Sequence, residues 1–332
     1  MTATSTIRAL RPTHLVGLRA LDNRPSCAEI TAPVWPRVCD GDSRLPLWSL
    51  LPHSMAHPTG QRRAWVHVSP DGIDGLVVSR ARCGGLVWDV RHLWVDSTRE
   101  SVAEELLRQV CTEAALRGAR RVFLETGLDE PATTIARQAG FAQYTRAMVY
   151  AAPAGPREAC GTLVPGRPRL RGDEHRLFQL YNAAVPAPVR AAEALTLEEW
   201  LALHKGPRRW TPGLFVDRYQ YVWDVEDSLV AWMELACSPR GQQAEWLVHP
   251  AHGSLCDSLV AYALTQVNPK LPFYVTCREY QVALRSALER TGFALVGERA
   301  VFVRQLTVRL PERRSVVVRT RPSLGGRALA RW

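Results

Sequence analysis

Two stretches of this chain, "HLWVDSTRESVAEELLRQVCTEA" (His92–Ala114) and "EWLVHPAHGSLCDSLVAYALTQV" (Glu245–Val267), read as the same unit. Each opens on a short apolar strand that ends in a polar turn. Each continues with apolar residues at i, i+3 and i+4, the spacing of a helix with one buried face. Val95 corresponds to Val248, and Leu106-Leu107 to Leu259-Val260, at one offset of 153 residues.

Working outward, the match extends in both directions. "RRVFLET" (Arg120–Thr126) matches "LPFYVTC" (Leu271–Cys277), both compact buried-strand patterns. A second helix then closes on Gly140-Phe141 in one copy and Gly292-Phe293 in the other. Glycine just past a helix takes the left-handed conformation that stops it, and the following Phe packs back. After each stop a strand pair is expected, in "AQYTRAMVYAA" and in "ALVGERAVFVRQLTV". Upstream, "AWVHVS" and "GLVVSRAR" precede the first copy; strands from Gly213 to Glu226 and Ser228 to Ala236 precede the second. Asp71-Gly72 and Glu226-Asp227 stand at tight turns between them. Helices are expected before those strands, in "PTHLVGLRALDN", "DEHRLFQLYNAAV" and "TLEEWLALHK". Order, type and spacing therefore repeat across the chain, which is the sign of a duplicated unit.

Composition agrees with two units. At 332 residues and 46% hydrophobic, the chain can bury two cores of ordinary size. No window approaches the run of about 18 apolar residues that a membrane span needs. The first 25 residues lack the apolar core of a secretory signal, so a cytoplasmic setting is expected. Eight cysteines are scattered without a CxxC pair or a Cys/His cluster, which disfavours zinc and disulfides and predicts no metal.

The net charge of +10 raises the question of nucleic acid. Half of that excess sits in one place: from Leu310 to Trp332 there are six arginines against Glu312 alone. Only Lys205 and Lys270 are lysines, a skew that a GC-rich genome produces without selection for phosphate contacts. The tail is read as a flexible basic extension, with nucleic-acid or acidic-partner binding as the minority reading.

The element order (helices, antiparallel strands, strand–turn–helix, strand, helix ending in Gly-Phe, strands) resembles the GNAT superfamily of acyl-CoA-dependent N-acyltransferases, twice over. The resemblance implies an α+β fold of two tandem GNAT-like domains. Each would be a mostly antiparallel sheet with a V-shaped splay, flanked by helices. The units are 1–152, a Pro- and Gly-rich linker 153–169, 170–310, and the basic tail 311–332. In that family the splay receives the pantetheine arm, and a turn of pattern Arg/Gln-x-x-Gly-x-Gly/Ala holds the pyrophosphate. Glycines let the backbone approach an anion, and the helix end supplies free N–H groups and partial positive charge.

Both copies depart from that pattern. In the first, the positions are Thr98, Arg99, Glu100, Ser101, Val102 and Ala103, and Ser97-x-x-Glu100 reads as a capping box that satisfies the amides itself. Glu100, Glu104 and Glu105 would repel a phosphate, so this copy is expected not to bind CoA in the family manner. In the second, the positions are Ala251, His252, Gly253, Ser254, Leu255 and Cys256, with Asp257 the one nearby acid. The candidate cofactor set is therefore Leu247, Val248, His252, Gly253, Ser254, Leu255 and Cys256. The alternative is a plain strand-to-helix turn capped by Ser254.

The catalytic signals are thinner. The family's acid, a Tyr four residues before the helix-ending Gly, is replaced here by Ala136 and Leu288. The family's base is often a Glu on the central strands; Glu234 and Glu245 are the candidates, with Asp89 and Glu125 in the first copy. Tyr280 and Tyr219 are the remaining tyrosines that could serve as acid. What the resemblance implies is an N-acetyltransferase moving an acyl group from acetyl-CoA or another acyl-CoA to a small-molecule or peptide amine. The alternatives are a catalytically degenerate binding module of the same fold and an RNA-associated role through the arginine surface.

Overall fold

The computed structural model describes residues 6–32, 62–152, 163–194, 196–204, 209–211, 214–239 and 241–306. The basic tail and most of the segments around the linker and Thr31–Pro58 lie outside these. Among the described residues, fourteen strands join in one sheet, in the order β1-β3-β4-β5-β6-β14-β7-β13-β12-β11-β10-β8, with β2 on β5 and β9 on β10. The first half supplies β1 (Thr6–Ala9), β2 (Cys27–Glu29), β3 (Arg62–Ser69), β4 (Gly72–Arg82), β5 (Val87–Asp96), β6 (Arg121–Thr126) and β7 (Ala142–Ala151). The second supplies β8 (Arg167–Pro168), β9 (Arg209–Thr211), β10 (Leu214–Val225), β11 (Ser228–Ser238), β12 (Gly241–Val248), β13 (Phe273–Arg278) and β14 (Ala294–Gln305). The helices are α1 (Leu15–Asp22), α2 (Glu100–Leu116), α3 (Glu130–Gln138), α4 (Glu174–Ala184), α5 (Ala187–Glu193), α6 (Leu197–His204), α7 (Cys256–Gln266) and α8 (Val282–Arg290).

The expected repeat is present in detail. Gly140 and Gly292 sit at φ 80° and 82°. Phe141 and Phe293 donate back to the carbonyls of Ala136 and Leu288, each at 3.0 Å. That is the six-to-one bond of a glycine-terminated helix. Both Phe rings are buried in the cores below. Glu226 and Asp227 both take positive φ, 46° and 62°, the backbone of a two-residue hairpin turn between β10 and β11.

One expectation is corrected. Each Gly-Phe stop is followed by one long strand, and the two strands are exchanged. β14 pairs with β6 of the first half, β7 pairs with β13 of the second, and β14 and β7 pair with each other. Burial follows the exchange: Ala300 and Phe302 of β14 pack in the core under α2 and α3, whereas Met148 and Tyr150 of β7 pack under α7 and α8. Ala147 and Arg299 face each other across the central ladder. They are 152 positions apart, the offset of the two Gly-Phe pairs, so the pseudo-twofold axis passes through that pair. The unit boundaries drawn at 152 and 170 follow the chain, while the sheet interleaves the halves.

Each half carries one core on either side of the sheet. In the first, the α2–α3 side centres on Trp88 and Leu106, and the α1 side on Leu18 and Trp94. In the second, the α7–α8 side centres on Trp246 and Phe273, and the α4–α6 side on Trp200 and Trp232. Nearly all the described tryptophans are accounted for by packing. Trp65 stacks on Trp88 with ring centroids 6.4 Å apart, and Trp200 meets Trp232 edge-on at 6.3 Å.

Candidate functional site

Both halves contain a parallel strand pair that runs together and then parts. In the second half the β12–β13 ladder spans Gln242–Glu245 against Phe273–Thr276 and stops there. Beyond it, β12 continues to Val248 along β11 while β13 turns away to α8. His249 donates to Val230 of β11 at 2.8 Å, so by alternation the main-chain groups of Val248 face into the opening. A side chain bridges the opening. Gln281 donates from Nε2 to the carbonyl of Trp246 at 2.8 Å, and its Oε1 accepts from the N–H of Arg278 at 2.7 Å.

In the first half the corresponding ladder covers only Val87–Asp89 against Arg121–Phe123. Past it, the opening is filled by the chain's own β2 and the residues around it. Cys27, Ala28 and Glu29 pair with Asp96, Val95 and Trp94. Ser97 donates to Ser26 at 2.8 Å, and Ile30 donates to Leu93 at 2.8 Å. The Leu93 N–H in turn donates to Thr31 Oγ1 at 3.1 Å. Ala32 then donates to Glu125 on the far strand at 2.8 Å, and Thr31 bridges Thr126. The edge of β5 that an extended ligand would pair with is thus satisfied within the chain.

The turns after these strands also differ from expectation. The Ser97–Glu100 capping box does not form; helix α2 starts from Arg99 without a side-chain cap. Asp96 instead holds the turn before the helix, accepting from the Thr98 N–H at 3.1 Å and the Thr98 hydroxyl at 2.7 Å. Burial raises the pKa of Asp96, but hydrogen bonds from Thr98 and Ser26 and the Arg24 contact outweigh it and bring it down to about 2. Arg99, near the family's basic position, is spent on Asp74 at 2.7 Å and Asp71 at 3.0 Å.

After β12, the chain makes a short 3-10 turn, Pro250–Leu255, before α7. His249 caps it by accepting from the Ala251 N–H, and His252 sits beside His249 with rings 5.6 Å apart. Ser254 is exposed and does not cap; α7 begins from Leu255 with no side-chain cap. Gly253 serves packing: a Cβ there would lie 3.0 Å from the Ala283 Cβ on α8. Asp257, the acid in the first turn, is neutralised by a two-pronged contact from Arg290 at 2.7 and 2.8 Å. Of the remaining candidates, Leu247 faces the α4–α6 core. Cys256 is buried under α7 with its thiol pKa pushed by burial up to about 11. Val248 and Leu255 are half-buried at the rim.

Glu234 and Glu245, on consecutive strands, are brought directly opposite each other on β11 and β12. Their environments separate them. Glu234 is buried and accepts from Arg218 and from Gln220 at 2.6 Å. Glu245 is exposed, at the last rung before the splay, with no polar partner among the described residues. Tyr280 lies within electrostatic reach of Glu245, and burial holds its phenol well above the ordinary range. Tyr219 is exposed on β10. In the first half Asp89 pairs with Arg82, and Glu125 faces two arginines of the second half. Sequence reasoning had no signal for the nearness of Tyr280 to Glu245, because it depends on how the β13–α8 loop folds back.

No family model and no curated protein matches this chain. Solved structures do. A GCN5-related N-acetyltransferase from Sphaerobacter thermophilus superposes with a TM-score of 0.58 at 15% identity, covering 91% of this chain and 95% of that one. A tandem GNAT protein from the clavulanic acid biosynthesis pathway superposes with a TM-score of 0.52 at 14% identity, covering 91% and 98%. The fold of this chain is the GNAT fold, in two tandem copies. No helix among the described residues is long and apolar enough to cross a membrane, and no cluster of metal-ligating side chains occurs among them.

Proposed function

We propose that this chain is an acyl-CoA-dependent N-acyltransferase that works from its second half, with the first half as structural partner. The observation that carries this reading is the contrast between the two splays. One is closed by Ser26–Ala32, and the other stays open from Glu245 to Val248 with main-chain groups facing in. Residues of the second opening fit an extended amide arm: Val248 offers main-chain pairing, and Ser254 stands exposed on the turn that leads into α7, a helix with no side-chain cap. Pairing of Asp257 with Arg290 removes the charge that would repel a phosphate there.

When bound, acyl-CoA supplies an activated acyl group and a thiolate leaving group. Glu245 is the base, because it is the carboxylate at the mouth that is not already committed to an arginine. It receives the proton of the acceptor ammonium. Tyr280, held protonated by its burial, is the nearby proton donor. Acetyl-CoA is the first thioester to try, and the free thiols of the described cysteines agree with a cytoplasmic setting.

Calorimetric titration with acetyl-CoA and free CoA tests the reading. Binding should be lost in Ser254→Glu and kept in Ser101→Glu, while Glu245→Gln should bind normally and not turn over. Absence of binding at millimolar cofactor would reject it. One observation favours a second reading, a binding module without turnover: Gln281 already occupies the Trp246 carbonyl at the base of the splay. On that reading Gln281→Ala leaves CoA undetected, whereas on the enzyme reading it raises CoA affinity.

A further inference from the structure

Where the halves meet on the α4–α6 side of the sheet, polar side chains from both converge on one arginine. Arg278 ends β13, two residues past Thr276, which stands opposite Glu245 in the ladder. Among the described residues its closest carboxylate is Glu125 on β6 of the other half, at 3.9 Å, too far for a hydrogen bond. Glu125 is shared with Arg299 on β14, at 3.5 Å. The Nη1 of Arg278 is buried and has no hydrogen-bond partner among the described residues. A guanidinium carries five donors, and leaving one buried and unpaired is costly. Around it stand Tyr144, Tyr280 and Glu193. Glu193 itself accepts from the Tyr181 hydroxyl at 2.6 Å and the Tyr144 hydroxyl at 3.4 Å.

We propose that the unfilled face of Arg278 receives the carboxylate of the acceptor, so that the acceptor is a small amino acid carrying its amine toward Glu245. The proposal rests on the acyltransferase reading for the amine end, and on Arg278 alone for the carboxylate end. The geometry suits a compact ligand. Glu245 and Arg278 are one rung and two residues apart on neighbouring strands, roughly 8 Å between Cα atoms, and both point to the same side of the sheet. Charge decides between oxyanions. Arg278, Arg299 and Arg91 face Glu125 and Glu193, an excess of one positive charge that a single carboxylate balances and a dianionic phosphate would overshoot. An amino acid presents that single carboxylate, and its planar group matches the guanidinium fork. The loop that carries Tyr280 and Gln281 joins Arg278 to the splay, which places acceptor and thioester on one continuous surface.

Calorimetric titration and thermal shift of the full chain with the standard α-amino acids, their C-terminal amides and inorganic phosphate test this, with CoA titrated on the same samples. At least one amino acid should bind, with its amide weaker by about tenfold or more. Arg278→Gln should erase the difference between acid and amide while leaving CoA binding unchanged. Should Arg278→Gln unfold, Arg278→Lys, which keeps the charge facing Glu125, carries the test, and it should weaken the acid by about tenfold. Equal binding of acid and amide, acid binding that survives in Arg278→Gln, phosphate binding in place of the acids, or no amino acid bound would each overturn the proposal. Acid binding without CoA binding would instead overturn the acyltransferase reading and leave the carboxylate site standing.

Discussion

The Ile30 N–H donates to the Leu93 carbonyl at 2.8 Å, across the opening that parts β5 from β6. Through this bond and its neighbours the chain takes the place of an extended ligand in its own first half. Pantetheine and a β-strand present the same kind of alternating amide groups, so a strand is a fitting occupant for such a groove. The consequence is that two copies of one unit differ in their openings, the first being filled by the chain's own strand.

Because that strand completes the sheet, it should matter for stability and not for cofactor binding. Thr31→Ala leaves the buried Leu93 N–H without its acceptor and should destabilise the protein by about 1–3 kcal/mol. Urea unfolding measures this, and CoA affinity of the variant should equal that of the parent. Gain of a second CoA site would show instead that the strand is a gate.

The exchanged strands should make the halves one cooperative unit. Phe302 packs in the first half's core and Tyr150 in the second's, so neither core is complete without the other half's last strand. A chain ending at residue 293 should lose tertiary structure in both halves, seen as collapse of amide dispersion throughout. Thermal unfolding of the full chain should show one transition.

Arg121 on β6 and Glu199 on α6 form a buried pair between the halves, with both oxygens at 3.2 Å from Nη2. Arg121→Ala strands a buried carboxylate and should cost about 3–5 kcal/mol. The double variant Arg121→Leu/Glu199→Leu should be less destabilised than either single change, because neither charge is then left alone. A double-mutant cycle with no coupling would show the pair to be incidental.

Burial pushes the thiols of the described cysteines above the ordinary value of about 9, with Cys27, Cys111 and Cys256 up to about 11 and Cys277 up to about 12. Below pH 9 folded and unfolded states both keep the proton, so these groups contribute no pH dependence. From about pH 9 up to the folded value of each thiol the unfolded state releases first, so stability falls as pH rises, by up to about 1.4 kcal/mol per pH unit for each thiol within its own window. Urea midpoints across that window check the slope, and Cys256→Ala should reduce it.

The repeat, the Gly-Phe helix stops, the hairpin turns and the strand–turn–helix units were all legible in the sequence. Each is written in residues within a few positions of one another: apolar spacing, a glycine at a left-handed position, a turn pair. Glu234 and Glu245 were also visible as candidates, because an acid on an apolar strand stands out. Three features depended on contacts between residues far apart in the chain. Which strand lies beside β6 is set by the fit of Phe302 into a core built by α2 and α3, and local pattern cannot distinguish β7 from β14 for that slot. That residues 26–32 fill the first splay follows from hydrogen bonds to strands 60 to 100 residues away. The convergence of Glu125, Arg278 and Arg299 exists only once the halves interleave. Local propensity fixed the two units; long-range pairing decided how they share one sheet, and which of their two openings the chain's own strand fills.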